Sequence, residues 1–349
     1  MLKLIAALAL ALSSLAAIAQ QPIPIKVVIV ATFEPGEDTG DTPGEFQYWV
    51  EREHLTGKLP FPGGTRPLRI NAAHDVLGIV TGMTLANAGP SIMALGLDPR
   101  FDLTHAYWLV DGIAGVDPAD GTIGTAAWAS YIVNDVNRQL DSSEKPAAWP
   151  YGLFIIGAKA PNVMPAQPMT NNTYALNPTL ANWAFHLTKD LKLPDNPAMA
   201  ADRQRWTAYP NAAHPPTVIR GDSYASDSYW HGQVLTQYAN DWVALWTNGK
   251  GNFAMANMED AAIAEALQRL TRMHRADYQR LLVLRVASNY TMQAPGQSAI
   301  DSVNSPYIDS TAYDSAWLTG STVLHALTRN WPTYRLHIPT VNEPAQHLR

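Results

Sequence analysis

The pair Met258-Glu259 marks the point where one sequence pattern changes into another. Residues 253–258 are mostly apolar, and from Ala261 onward apolar residues recur at helical spacing. A strand is therefore predicted to end near Met258, and a helix to begin at Glu259-Asp260. An acid suits the first turn of a helix because of the helix dipole. A carboxylate at the carboxyl end of a strand also lies where α/β sheets bind ligands. Glu259 is thus the first candidate functional residue, with a purely helix-starting role as the alternative.

Polar side chains follow several other predicted strands in the same way. If the strands are parallel, the loops that follow them meet at one edge of the sheet. A carboxylate can accept hydrogen bonds from two neighbouring hydroxyls, an aromatic ring can stack, and amides can bind ring edges. This inventory indicates a ligand that carries several hydroxyls and a flat ring. The loops are residues 34–38, 81–82, 111–115, 226–233, 258–259 and 285–289.

The elements that must position these loops alternate between strands and helices. Continuous apolar runs at 26–31, 76–81, 106–110 and 281–287 are typical of strands buried on both faces. Helical patterns are predicted at residues 46–55, 231–246 and 313–327. A further helix is predicted to follow the segment 82–88 and to end at about residue 95. This alternation predicts a single α/β domain with a mostly parallel sheet.

Composition excludes several function classes. The net charge of -6 disfavours binding to nucleic-acid backbones, and the chain has no cysteine for disulfide or thiolate chemistry. The nucleophile motif of esterases, the His-Glu-x-x-His metal motif and the phosphate-binding loop are all absent from the sequence. The 10 histidines are scattered, so we expect no metal and no cofactor.

The first 19 residues have the pattern of a secretory signal peptide. Lys3 precedes an apolar run that ends in small residues at Ala17-Ile18-Ala19. We expect cleavage after Ala19, export to the periplasm, and a mature domain of residues 20–349. No later segment has the ~18 apolar residues that a spanning helix needs.

Four short motifs resemble those of a known superfamily, and they occur in its order. Thr81-Gly82 resembles the Thr-Gly that flanks ribose and phosphate in nucleoside phosphorylases and nucleosidases. Residues 226–233 resemble the uridine phosphorylase loop Ser-Asp-x-Phe-Tyr-x-Gly-Gln, and Met258-Glu259 resembles the superfamily's Met-Glu pair. Residues 285–289 resemble the nucleosidase segment Arg-x-x-Ser-Asp. The mature chain as a whole resembles the exported branch, the purine nucleoside permease family.

This resemblance implies a fold and a set of roles. The fold would be a phosphorylase-like three-layer domain with a central mixed, mostly parallel sheet. Glu259 would bind the ribose hydroxyls, Met258 would pack on the sugar, Tyr229 would stack on the base, and Gln233 would hydrogen-bond it. The same motifs add further substrate-binding candidates: Thr81, Gly82, Arg285 and Ser288. For Tyr229 the alternative is a core aromatic, and for Arg285 an ion pair with an acid at the sheet edge.

The chain departs from the superfamily in its general acid. The Asp that protonates the leaving purine is Asn289 here, and an amide can donate a hydrogen bond but cannot deliver a proton. Trimeric purine nucleoside phosphorylases also use an Asn, so the resemblance still allows catalysis. We therefore expect Asn289 to stabilise the departing base.

A second departure concerns the co-substrate. The places where phosphorylases carry phosphate-binding arginines have none here; Arg52, Arg66 and Arg69 lie nearby in sequence. The water-activating Glu of nucleosidases falls near Gly36, so Glu34 or Glu37 is expected to position water instead.

Three functions remain open. The first is an exported enzyme that cleaves the N-glycosidic bond of purine nucleosides, with water or phosphate as co-substrate. The second is a nucleoside-binding protein that delivers its ligand to a separate membrane transporter. The third, an ester hydrolase, lacks its nucleophile motif. A homo-oligomer is expected from the resemblance.

Overall fold

The computed structural model describes residues 21–341. The predicted signal peptide lies outside the described residues, so its cleavage stays a prediction.

Sixteen short or medium strands are present in the described part of the chain. They are β1 (Ile23–Pro24), β2 (Val27–Ala31), β3 (Gly57–Leu59), β4 (Leu68–Ile70), β5 (Val76–Val80), β6 (Phe101–Asp102), β7 (Tyr107–Val116), β8 (Ala126–Trp128), β9 (Tyr131–Asn134), β10 (Asn137–Gln139), β11 (Leu153–Ile155), β12 (Thr173–Ala175), β13 (Val218–Arg220), β14 (Asp222–Ala225), β15 (Phe253–Asn257) and β16 (Leu281–Tyr290).

Ten α-helices connect these strands within residues 21–341. They are α1 (Gln47–Arg52), α2 (Leu85–Leu97), α3 (Pro178–Thr188), α4 (Pro197–Arg203), α5 (Pro210–Ala213), α6 (Gln233–Trp246), α7 (Asp260–Arg272), α8 (Ala299–Val303), α9 (Ala312–Arg329) and α10 (Trp331–Tyr334).

A 12-stranded mixed sheet forms the centre of the molecule. Its main path runs β12-β9-β14-β15-β7-β2-β5-β4-β3, and β16 pairs with β7 and β8. β2 is parallel to both β5 and β7, and β16 is parallel to β7. β15 is parallel to β14 but antiparallel to β7, which it contacts only at Met255 and Ala256. The prediction of a mixed, mostly parallel sheet is confirmed.

Helices cover both faces of this sheet, which makes the domain three-layered. Val28 and Val30 of β2 face one core with α2 and α7, whereas Val27 and Ile29 face a second core with α1, α3 and α9. The continuous β-branched run predicted at 26–31 thus has a simple cause, because every side chain of β2 is buried.

Two predicted loops are strand instead. Residues 111–115 lie inside β7 and residues 285–289 lie inside β16, because these two strands pair side by side along their whole length. A bulge between Ala287 and Asn289 shifts the register near the end of β16. The functional candidates of both segments therefore project from a rigid sheet.

Candidate functional site

A cavity of about 800 Å³ opens where the ends of β2, β7, β15 and β16 meet. Its size falls in the usual range for small-molecule sites. The first turn of α9 and the segment before it close the opposite side. Its lining is Thr32, Phe33, Thr42, Pro43, Glu45, Tyr48, Met83, Ile113, Ala114, Gly115, Asn196, Tyr229, Ala256, Asn257, Met258, Glu259, Ser288, Asn289, Tyr307, Ile308, Asp309, Ser310, Thr311, Ala312, Tyr313 and Asp314.

Glu259 is the residue between β15 and α7, as the change of sequence pattern predicts. Its carboxylate is buried but borders the cavity. Oε1 accepts from Thr84 N at 3.2 Å, and Oε2 accepts from Arg285 Nη2 at 3.1 Å and from Met258 N at 3.2 Å. Burial raises the pKa of Glu259; Arg285 opposes this shift, and Glu45 and Asp260 reinforce it. A carboxylate has about four acceptor sites and these contacts use three of them, so Glu259 retains acceptor capacity toward a ligand.

Arg285 lies behind the cavity wall, with its side chain only 2% exposed. Its guanidinium contacts Asp260 Oδ1 at 2.6 Å and Glu259 Oε2 at 3.1 Å, and it lies 3.8 Å from Glu45 Oε1. Gly112 of the neighbouring strand leaves room for it, because a Cβ there would lie 2.5 Å from Arg285 Nη1. Burial disfavours the charged form, but the three carboxylates outweigh it and raise the pKa of Arg285. Arg285 thus forms the predicted ion pair, and it does so directly behind the candidate Glu259.

Glu45 is the residue that sequence reasoning missed. Its Oε2 accepts from Thr32 N at 2.6 Å, Thr32 Oγ1 at 2.9 Å and Phe33 N at 2.8 Å, and its Oε1 accepts from Ile113 N at 2.8 Å. Burial raises the pKa of Glu45 as well, against the influence of Arg285. In the sequence, Glu45 is only an acid that lies just before a short helix, and the aromatic side of that helix faces the sheet.

The two acids predicted to position water lie elsewhere. Glu34 is buried and accepts backbone N–H groups from Gly44 at 2.7 Å, Phe46 at 2.7 Å and Gln47 at 2.8 Å. It therefore accepts hydrogen bonds from N–H groups at the start of α1 that have no partner within the helix. It does not border the cavity. Glu37 is exposed, and its backbone N–H donates to Asp41. Glu45 takes the position in the cavity that was predicted for one of them.

The opposite end of the cavity carries amide and aromatic groups. Asn289 Oδ1 accepts from Ser288 Oγ at 3.0 Å, and its Nδ2 donates to Tyr290 O at 3.1 Å. The hydroxyl of Tyr229 lies 3.3 Å from that of Tyr307 across the mouth. Met258 lies between this end and Glu259. Four predicted residues, Asn289, Ser288, Tyr229 and Met258, are therefore brought together with Glu259.

Besides Arg285, three predicted substrate-binding residues are not part of this lining. Thr81 is fully buried, and its hydroxyl donates to Gly82 O at 2.9 Å. Gly82 has φ +84° and turns the chain toward α2. Gln233 is the exposed first residue of α6. Thr81 and Gly82 instead shape the turn that carries Met83 to the cavity and Thr84 to Glu259.

The nearby arginines are paired with acids and are not themselves part of the cavity lining. Arg66 and Arg69 each contact Asp38 at 2.7 Å, and Arg52 contacts Asp314 at 2.7 Å. Arg52 also lies over the ring of Tyr48, 3.7 Å from its centroid. These three side chains therefore neutralise neighbouring acids.

Among residues 21–341, no group of three or more His, Cys, Asp or Glu side chains has the arrangement of a metal site. Over the same range, no helix combines the length and apolar character needed to cross a bilayer.

A family model described as purine nucleoside permease matches residues 24–339. The chain belongs to this family. It is 30% identical over 292 residues to a purine nucleoside permease of Candida albicans, covering 81% of this chain and 72% of the relative. It is 28% identical over 272 residues to a probable purine nucleoside permease of Schizosaccharomyces pombe, covering 75% and 78% respectively.

The fold of this family member is shared with solved nucleosidase structures. A 5′-methylthioadenosine/S-adenosylhomocysteine nucleosidase from Helicobacter pylori superposes with a TM-score of 0.52. The match covers 88% of this chain and 98% of that one, at 14% sequence identity. The predicted phosphorylase-like fold is thereby confirmed.

Proposed function

We propose that this protein is an exported enzyme that binds purine nucleosides and hydrolyses their N-glycosidic bond. The observation that carries the proposal is the buried charge cluster at the cavity wall. Three carboxylates, Glu45, Glu259 and Asp260, share the single guanidinium of Arg285. Two of these carboxylates, Glu45 and Glu259, border the cavity. An excess of negative charge in a partly dehydrated site stabilises positive charge on a bound ligand.

The positive charge in this reaction develops on the sugar. As the C1′–N9 bond breaks, its electron pair leaves with the purine and the ribose becomes an oxocarbenium ion. Glu259 accepts hydrogen bonds from the 2′ and 3′ hydroxyls and stabilises this ion. Asn289 donates a hydrogen bond to the departing base, which takes its proton from solvent.

Glu45 is the group best placed to act on water. It borders the cavity on the same side as Glu259, and four hydrogen bonds fix its carboxylate. In the proposed step, the water oxygen bonds to C1′ and Glu45 takes one water proton. The raised pKa of Glu45 suits a general base, because proton transfer is most efficient when that pKa approaches the working pH.

Water is favoured over phosphate by the charges that face the cavity. Glu45, Glu259 and Asp309 contribute to its lining, and Asp314 does so while paired with Arg52. The neighbouring arginines are held by Asp38 and Asp314. A phosphate dianion entering this cavity would meet like charges, whereas neutral water would not.

A nucleoside-binding protein that serves a separate transporter is the second candidate. It is favoured by Asn289, because an amide cannot protonate the leaving base. The relatives are named purine nucleoside permeases, which also favours a role in nucleoside uptake. Binding without turnover uses the same contacts from Glu259 and the aromatic end.

The test compares Glu259→Gln with the wild type for turnover and for nucleoside binding. Glutamine keeps the shape but removes the charge, so turnover should fall by about 100-fold or more. Glu265→Gln, a change on α7 outside the cavity lining, where Glu265 contacts Arg269 and Tyr174, serves as the matched control and should leave turnover unchanged. Equal rates for Glu259→Gln and the control would remove Glu259 from the mechanism.

Export is tested separately, by intact mass. Protein recovered from the periplasm of an expressing bacterium should begin at Gln20. Recovery of the uncleaved chain from the cytoplasm would contradict this part of the proposal.

A further inference from the structure

The closest partner of Arg285 is a residue that no motif singled out. Asp260 is fully buried and does not border the cavity. Its Oδ1 accepts from Arg285 Nη2 at 2.6 Å and from Arg285 Nε at 3.1 Å. By comparison, Glu259 lies 3.1 Å from the same guanidinium and Glu45 lies 3.8 Å from it. Asp260 thus takes the strongest share of this cation.

Asp260 is itself held by a chain of buried hydrogen bonds. Its Oδ2 accepts from Ser223 Oγ at 2.6 Å, and Ser223 Oγ accepts from Asn257 Nδ2 at 2.6 Å. Asn257 Oδ1 in turn accepts the backbone N–H groups of Glu259 at 3.2 Å and Asp260 at 3.0 Å. Both carboxylate oxygens of Asp260 are therefore fixed, and the start of α7 is fixed with them.

The charge balance shows what this arrangement does for Glu259. A lone Arg–Glu pair would draw the guanidinium onto both oxygens of Glu259 and neutralise it. With Asp260 occupying Nε and Nη2, Glu259 keeps only one long contact to Arg285. The cluster then holds more negative than positive charge, and the excess lies toward the cavity.

We propose that Asp260 is a positioning residue that occupies Arg285 and so leaves the carboxylate oxygens of Glu259 open to ligand hydroxyls. This inference rests on the proposed function, in which Glu259 is the ribose-binding carboxylate. It goes beyond that function because Asp260 touches neither the ligand nor the cavity.

The test uses Asp260→Asn, which keeps the size of the side chain and removes its charge. Turnover should fall by about 10- to 100-fold, as is typical when an outer partner of a functional side chain is lost. Ser223→Ala removes only the support at Oδ2 and should give a smaller loss in the same direction. Glu265→Gln again serves as the control on the same helix. Melting temperature and circular dichroism establish that each variant is folded.

The discriminating readout is the acidic limb of the pH profile of kcat/KM. The groups that face Glu259 are Arg285 on β16, Glu45 before α1, Asp260 on α7 and the N–H of Thr84. Among them, Asp260 and Glu45 raise the pKa of Glu259 and Arg285 lowers it. Removing the charge of Asp260 should therefore move the acidic limb to lower pH. A purely structural role would reduce the amplitude and leave the limb in place.

The outcomes separate this proposal from the proposed function. If Asp260→Asn has the turnover of the wild type and its acidic limb has not moved, the proposed role of Asp260 is wrong. The proposed function is unaffected by that result. If the wild type binds inosine in a calorimeter but releases no base, hydrolysis has failed. The role of Asp260 is then tested by the pH dependence of the inosine Kd, which should move to lower pH in Asp260→Asn. If the wild type neither binds nor cleaves inosine, both proposals are wrong.

Discussion

At the scale of single residues, two buried carboxylates that both accept backbone N–H groups differ in whether they border the cavity. Glu34 and Glu45 lie eleven positions apart and both are buried, yet they do different work. Glu34 receives three backbone N–H groups at the start of α1. Glu45 borders the cavity within reach of Arg285. Of this pair, only Glu45 is therefore a candidate for a role in the proposed reaction.

Glu45→Gln should lower kcat strongly, because the amide cannot take a proton from water. We expect a loss of about 100- to 10,000-fold, the usual contribution of a general base. Steady-state kinetics with inosine would measure it, with nucleoside binding retained.

Glu34→Gln is the matched comparison. It should lower the free energy of unfolding by about 1–3 kcal/mol, since three buried N–H groups lose a charged acceptor. The kcat of the folded fraction should stay close to that of the wild type. The reverse pattern, with Glu34→Gln inactive and Glu45→Gln active, would restore the assignment made from sequence.

At the scale of elements, the turn before α2 is strained at Thr84, the residue that donates to Glu259. Thr84 has φ 80° and ψ 158°, a region that β-branched residues rarely adopt. Its N–H donates to Glu259, and the next N–H, of Leu85, donates to Asp227 at 2.7 Å. The turn thus links the start of α2 to both the candidate carboxylate and the loop that carries Tyr229.

Thr84→Gly should stabilise the fold, because glycine adopts this backbone region without steric conflict. Glycine relieves the strain but also increases the conformational entropy of the unfolded chain. The net gain in the free energy of unfolding should be about 1 kcal/mol. Chemical denaturation would measure the gain. Thr207→Gly is the control, since Thr207 is exposed and has an ordinary φ of -58°; it should destabilise the protein. Loss of stability in both variants would argue against a strained turn.

The interface of β7 with α1 carries a buried acid that makes stability depend on pH. Asp111 Oδ2 accepts from Trp49 Nε1 at 2.8 Å. Its Oδ1 has no hydrogen-bond partner among the described residues. Burial raises the pKa of Asp111 from 3.8 to about 8. The folded protein therefore keeps a proton that the unfolded chain releases, and the free energy of unfolding falls as pH rises through this interval.

Asp111→Asn removes this titration. The melting temperature of the variant minus that of the wild type should increase as pH rises from 3.8 toward about 8 and then level off. Calorimetric melts in a series of buffers would measure the difference. Two parallel curves would show that Asp111 is ionised in the folded protein.

At the scale of the whole molecule, the sequence predicted the layers and the edge of the sheet but not every side chain at that edge. The sequence predicts the buried strands β2 and β5 and the change from β15 to α7, because burial and helical spacing are local patterns. The position of Glu45 at the cavity could not be predicted, because Glu45 contacts Thr32 and Phe33 only after the chain turns back through Gly44. Asp111 and Arg285 were assigned to loops because the pairing of β7 with β16 is a long-range contact. Oligomeric state and export stay predictions.

The most direct test of the central claim is the identity of the sugar product. The mature protein would be incubated with adenosine, guanosine, inosine and uridine, each with and without phosphate, and the products separated by chromatography. Hydrolysis should give free purine and free ribose from a purine nucleoside, at the same rate with and without phosphate. Ribose 1-phosphate formed only with phosphate would contradict hydrolysis, and no base from any nucleoside would leave binding alone.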